Sequence, residues 1–238
     1  MNTFVQGFLD NDSFFGKFMT KAGIIIGANL MFILCCIPGV TIGAGFVALH
    51  HVMLKTLRGD GVLNPFKEYW IGFKDNFKQA TLCWLAFVAL LFFGYWDLSI
   101  CSQAGGGIGL FTYGIYAIGF VCIVLYCMLL PTMAAFADSI PHLLRNAWYL
   151  ALKKPFKTIV IVFFDVFPLI LTYSDLKDLP LYAFLWTMFG FGAIAMLSST
   201  LLLPEIKPFL EEKETDFACD PMSDEEEMLD ELRMLDGF

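Results

Sequence analysis

Charged residues are missing from long stretches of this chain. Residues 22–54, 79–96, 98–137 and 179–204 contain no Asp, Glu, Lys or Arg, and 158–174 contains only Asp165. A bilayer's hydrocarbon core is about 30 Å thick, and about 20 apolar residues cross it as helix. In lipid every backbone N–H and C=O must be paired internally, which leaves helices and closed barrels. Barrel strands would read as short alternating segments. These runs are long and uniformly apolar, so the sequence predicts an all-α, polytopic helical membrane bundle. Composition agrees: 58% of the 238 residues are hydrophobic and 16% charged, against about 45–50% and about 25% in soluble domains. A water-soluble enzyme domain is all but excluded.

The run 22–54 is too long for one crossing. In its middle lies Ile37-Pro38-Gly39-Val40-Thr41-Ile42-Gly43. Pro38 lacks an amide hydrogen and Gly39 frees the backbone, so Pro38, Gly39 and Gly43 mark a helix break. Six segments are expected, near 22–37, 43–57, 80–96, 108–136, 158–173 and 181–203. The second is short, either a tilted crossing or a re-entrant segment. With both termini cytoplasmic and 43–57 crossing, fourteen of the fifteen Lys and Arg lie inside and only Lys177 outside. That is the bias that orients plasma-membrane proteins. The N-terminus, with Asp10 and Asp12 as its first charges, reads as a retained helix rather than a cleavable signal.

Three segments have the pattern of interfacial amphipathic helices. In 65–79, Phe66, Tyr69, Trp70, Phe73 and Phe77 recur at helical spacing beside Lys67, Lys74 and Lys78. In 141–157, Leu143, Leu144, Ala147, Trp148 and Ala151 share a face, and 2–19 repeats the theme with Phe4, Phe8, Phe15 and Phe18. Anchoring at the headgroups and docking of a partner both fit.

Net charge is −8, but residues 204–238 hold 13 of the 23 acids and 3 of the 15 bases. This divides the chain into a membrane domain, 1–203, and an acidic cytoplasmic tail, 204–238, with Pro204 and Pro208 expected to end the last crossing. Ser223-Asp224-Glu225-Glu226 fits a capping box ahead of Met228, Leu229, Leu232 and Leu235. Two readings stand for this stretch: an amphipathic helix for a partner groove, or a solvated tail. The acidic balance argues against nucleic acid as a partner.

Chemistry is sparse. No Walker A, Rossmann, H-E-x-x-H or G-x-S-x-G pattern occurs. The seven cysteines form no C-x-x-C pair and read as small hydrophobes. His50 and His51 point to different helix faces and are placed near the inner headgroups. No metal, cofactor or enzymatic activity is expected. Asp165 is the anomaly, because a carboxylate at mid-membrane costs about 2.5–3.5 kcal/mol and usually faces a cavity or a partner. It is expected to face the interior, within reach of Asn29 or the Thr41 hydroxyl, as an ion or proton relay or as a structural hydrogen-bonder. Gly23 and Gly27 form one G-x-x-x-G pair and Gly39 and Gly43 another. The second is assigned to the turn.

Two stretches carry a resemblance. Asn29-Leu30-Met31-Phe32 with Ile37-Pro38-Gly39-Val40-Thr41-Ile42-Gly43-Ala44 is the first. Phe73-Lys74-Asp75-Asn76-Phe77-Lys78-Gln79-Ala80 ahead of Trp84 is the second. In this order they resemble the YesL-like family, integral membrane proteins of Firmicutes catalogued as a domain of unknown function. The resemblance in layout covers most of 1–203. It implies a membrane protein often encoded beside carbohydrate ABC importers, and it supplies no catalytic residues. The expected function is therefore a non-catalytic accessory component of carbohydrate uptake, whose partners are the bilayer and an importer's permease or ATPase. The alternative is a small stand-alone transporter using Asp165.

Overall fold

The computed structural model describes residues 14–59, 63–104 and 109–218. Among them the backbone is helical with no strands: α1 (Phe14–Cys36), α2 (Ile42–Arg58), α3 (Pro65–Ala104), α4 (Gly109–Ala135), α5 (Ile140–Lys153) and α6 (Pro155–Ser174). A 3-10 turn (Leu176–Asp178) leads to α7 (Leu179–Leu185), a π-helical turn (Trp186–Gly190) and α8 (Phe191–Ala218). The chain divides into two units, Met1–Leu202 and Leu203–Phe238. The described residues of the second, 203–218, are helical.

Among the described residues five stretches are long and apolar enough to cross a membrane: Phe15–Cys36, Pro65–Cys101, Phe111–Ala135, Pro155–Ser174 and Leu179–Phe209. The protein is a multi-pass helical membrane protein. The sixth expected segment is α2, whose 17 residues rise about 25 Å. Ten of its residues are buried, so other helices rather than lipid cover it. That explains how a short segment with two histidines, a lysine and an arginine packs within an apolar bundle.

The turn between α1 and α2 forms where Pro38 and Gly39 predict it. Gly39 adopts φ +73°, which a side chain would strain. Its N–H bonds Cys36 O at 2.9 Å, and the Thr41 hydroxyl donates to Cys35 O. The Trp84 indole N–H reaches back to Gly39 O at 3.1 Å. Gly43 serves a different purpose from Gly39. A Cβ there would lie 2.5 Å from Trp84 Cβ and 2.6 Å from Ala80 O, so its bare backbone lets α2 lie directly on α3. Gly72 repeats this further along, where a Cβ would meet His51 at 2.9 Å.

The core is built from stripes at helical spacing. On α1, Ile24, Ala28 and Phe32 face Ala48, Leu49, Val52 and Met53 of α2, with Tyr69 of α3 and Ala195 of α8 closing the cluster. Phe32 packs on Phe46 at 4.6 Å and on Phe191 at 4.9 Å between ring centres, tying α1, α2 and α8 together. Such aromatic pairs add about 0.5–1.5 kcal/mol beyond burial.

Three expectations change. Segment 65–79 is not a separate interfacial helix: it forms the first turns of the 40-residue α3. A shift from charged to apolar composition does not interrupt backbone hydrogen bonding, and no proline follows Pro65 within the helix. Its aromatic set also divides, with Tyr69 buried and donating to Gly45 O at 3.2 Å while Phe66, Trp70 and Phe77 stay exposed. In α5 the buried stripe is Leu143, Ala147, Leu150 and Ala151; Leu144 and Trp148 are exposed. Pro204 and Pro208 lie inside α8 rather than ending it, since a membrane helix tolerates the loss of an amide donor where neighbours re-satisfy the backbone.

Candidate functional site

α6 enters the bundle with Thr158 and Ile161 buried. Seven residues after Thr158 and four after Ile161, the same stripe carries Asp165. α8 presents Ala195, Ser198, Ser199 and Leu202 as its buried stripe. Where the two meet, the Ser198 hydroxyl donates to Asp165 Oδ1 at 3.2 Å. The Cys127 thiol of α4 lies against the same carboxylate. The neighbouring Ser199 Oγ lies 3.2 Å from His50 Nδ1, and His50 is 3% exposed at the middle of α2. Two consecutive serines thus contact an acid and an imidazole on two different helices.

Asp165 and His50 line one cavity of about 290 Å³. Six of its other thirteen lining residues are aromatic. Phe87 and Tyr126 stack at 4.1 Å with planes 7° apart, and Trp186 packs on Phe191 at 4.5 Å. The indole N–H groups of Trp84 and Trp186 are bonded elsewhere, to Gly39 O at 3.1 Å and Thr172 Oγ1 at 3.0 Å. Tyr126 Oη is buried with no hydrogen-bond partner. A largely apolar cavity with a few placed polar groups is the usual form of a small-molecule site.

A second, polar cleft of about 540 Å³ opens at the C-terminal end of α2. His51, Lys55, Arg58, Asp75, Asn76 and Gln79 line it together with the end of α4 and residues 136–138 after it. Lys55 Nζ is already paired with Glu68 Oε2 at 2.8 Å, leaving Arg58 as the exposed cation of the α2 end.

The residues singled out from sequence do not gather at one point. Asn29 is wholly buried, but its partners are backbone groups of the last membrane stretch. Its Nδ2 donates to Trp186 O at 2.9 Å and Thr187 O at 2.8 Å, and its Oδ1 accepts from Gly192 N at 2.9 Å. It therefore fastens the π-helical turn to α1 and does not reach Asp165. Thr41 bonds within its own turn. Pro38, Gly39 and Gly43 occupy the α1–α2 junction described above. Met228, Leu229, Leu232 and Leu235, like most of 2–19, lie outside the described residues. His50 faces inward, and His51, one residue on, lines the polar cleft. Ser198, Ser199, Cys127 and Tyr126 were not singled out. A hydroxyl or thiol in an apolar run gives no signal until a carboxylate 33 or more positions away is brought beside it. Among the described residues no three His, Cys, Asp or Glu side chains come together to hold a metal ion.

No curated protein and no solved structure matches the chain. Residues 25–98, from α1 through α2 and most of α3, match the family described as "Protein of unknown function, DUF624".

Proposed function

We propose that the protein is a non-catalytic component accompanying carbohydrate uptake of the ABC type, with both termini in the cytoplasm. The observation that carries this reading is the match over 25–98, joined to the resemblance that associates such proteins with carbohydrate importers. The matched segment includes most of the α1–α3 framework and much of the polar cleft, with His51, Lys55, Arg58 and Asp75 on its walls. A concave polar surface is suited to a partner's cytoplasmic surface. Purification from native membranes in mild detergent should recover a permease or its ATPase. Recovery of neither overturns the reading. Loss of the association on deleting 211–238 would place the contact on the tail.

The cavity holding Asp165 favours a second reading, a small stand-alone carrier with a midplane carboxylate. Proteoliposomes containing this chain alone should then move a solute in a manner sensitive to Asp165→Asn. Silence across a broad solute panel would end that reading.

A further inference from the structure

We infer that the cavity between α2, α3, α4, α6 and α8 binds a small organic cation with an apolar body, the charge held by Asp165 and the body by the aromatic walls. Binding of this kind goes beyond both functional readings and requires neither.

The first ground is charge. Asp165 has a hydroxyl and a thiol as partners, both neutral. Among the described residues no Lys or Arg forms an ion pair with it. A carboxylate taken out of water without a counter-charge is unstable, and a cation entering the cavity supplies one. The second ground is the wall. Trp84, Phe87, Tyr126, Trp186 and Phe191 line the same space, and aromatic rings attract desolvated cations through their quadrupoles. The phenol oxygen of Tyr126, buried without a partner, offers a lone pair besides. The third ground is what the cavity lacks. A sugar needs many hydrogen-bond partners, whereas both indole N–H groups are committed elsewhere and His50 Nδ1 faces Ser199. An anion would meet Asp165 directly. A volume of about 290 Å³ admits a ligand of drug-fragment size.

Benzyltrimethylammonium tests this, because its charge does not depend on pH and neopentylbenzene is its neutral carbon isostere. The full chain is placed in nanodiscs of zwitterionic phosphatidylcholine, and binding is followed by tryptophan fluorescence and calorimetry. The cation should bind saturably to the unmutated protein. Asp165→Asn, which keeps the shape and a partner for Ser198, should weaken it at least about tenfold while leaving neopentylbenzene unaffected. Phe87→Leu, which leaves the carboxylate in place, should weaken the cation about threefold to tenfold. Three outcomes overturn the inference: no saturable binding to the unmutated protein, equal cation binding by Asp165→Asn, or an equal effect of Asp165→Asn on the neutral isostere. The last would mean an apolar amphiphile or lipid chain is the occupant. Because the isolated chain is used, failure here leaves the importer association untouched, and failure of that association leaves cation binding untouched.

Discussion

Replacing Asn29 should loosen the fold by an amount the geometry fixes within narrow bounds. The side chain is 0% exposed and makes three hydrogen bonds of 2.8–2.9 Å to the backbone of Trp186, Thr187 and Gly192. Truncation strands two carbonyls and one N–H where water does not reach. Side-chain hydrogen bonds in membrane proteins average about 0.6 kcal/mol, and well-formed buried ones reach about 1.5. Three together give about 2–4 kcal/mol for Asn29→Ala, a large part of the about 5–15 kcal/mol that holds a typical protein. Asn29→Asp separates hydrogen bonding from packing. It has the same shape and keeps an acceptor for Gly192 N–H. Where Asn29 donated, it sets an oxygen against two carbonyl oxygens at 2.8 and 2.9 Å. If Asn29 acts through hydrogen bonds, Asp should cost as much as Ala; if it merely fills space, Asp should be nearly silent. Unfolding in mixed micelles by added dodecyl sulfate, followed by far-ultraviolet circular dichroism, measures both. An Asn29→Asp protein within about 0.5 kcal/mol of the unmutated one refutes the reasoning.

Further outcomes follow from the same contacts. Gly43→Val should separate α2 from α3 and lower the unfolding midpoint sharply, because a Cβ would overlap Trp84 and Ala80; Gly23→Ala, with nothing within 4 Å of its new methyl, should be neutral or stabilise by up to about 1 kcal/mol, both read by thermal unfolding. Tyr69→Phe removes the hydroxyl's bonds to Gly45 O and the Cys35 thiol and should cost about 0.5–1.5 kcal/mol in the mixed-micelle assay. Lys55→Met breaks a pair whose lysine is 34% exposed and should cost under about 1 kcal/mol, an effect that fades in high salt. Reporter fusions after Ser139 and after Lys177 should read opposite sides of the membrane; the same side for both would overturn the topology drawn from the lysines and arginines.

What could be seen in the sequence was whatever is local. Charge-free runs reveal apolar helices because lipid leaves the backbone no other solution. Pro38 and Gly39 reveal a turn because each constrains its own peptide unit. Asp165 stood out because a charge in an apolar run is anomalous by itself. Its partners did not: Ser198 is ordinary in a membrane helix, and only the crossing of α6 and α8 makes it a ligand for a carboxylate. The sequence separates the faces of His50 and His51, but only Ser199 of α8 beside it shows that His50 is the inward one. The continuity of α3 was hidden for a related reason, since composition changes near residue 79 and the hydrogen-bond ladder does not.

That continuity has a mechanical side. Forty residues of helix rise about 60 Å, twice the hydrocarbon thickness. The charge-free part, 79–96, accounts for about 27 Å, and a tilt large enough to absorb the rest lies outside the range membrane helices adopt. The five charges of the helix's first half, Lys67, Glu68, Lys74, Asp75 and Lys78, share that stretch with Tyr69, which is buried against α1 and α2. Past Pro65 the shaft has no proline and no π-turn at which to bend. Trp84 and Phe87, about four and five turns beyond Trp70, belong to the same shaft. A sideways push at Trp70 would reach them as leverage, with no loop between to take up the slack.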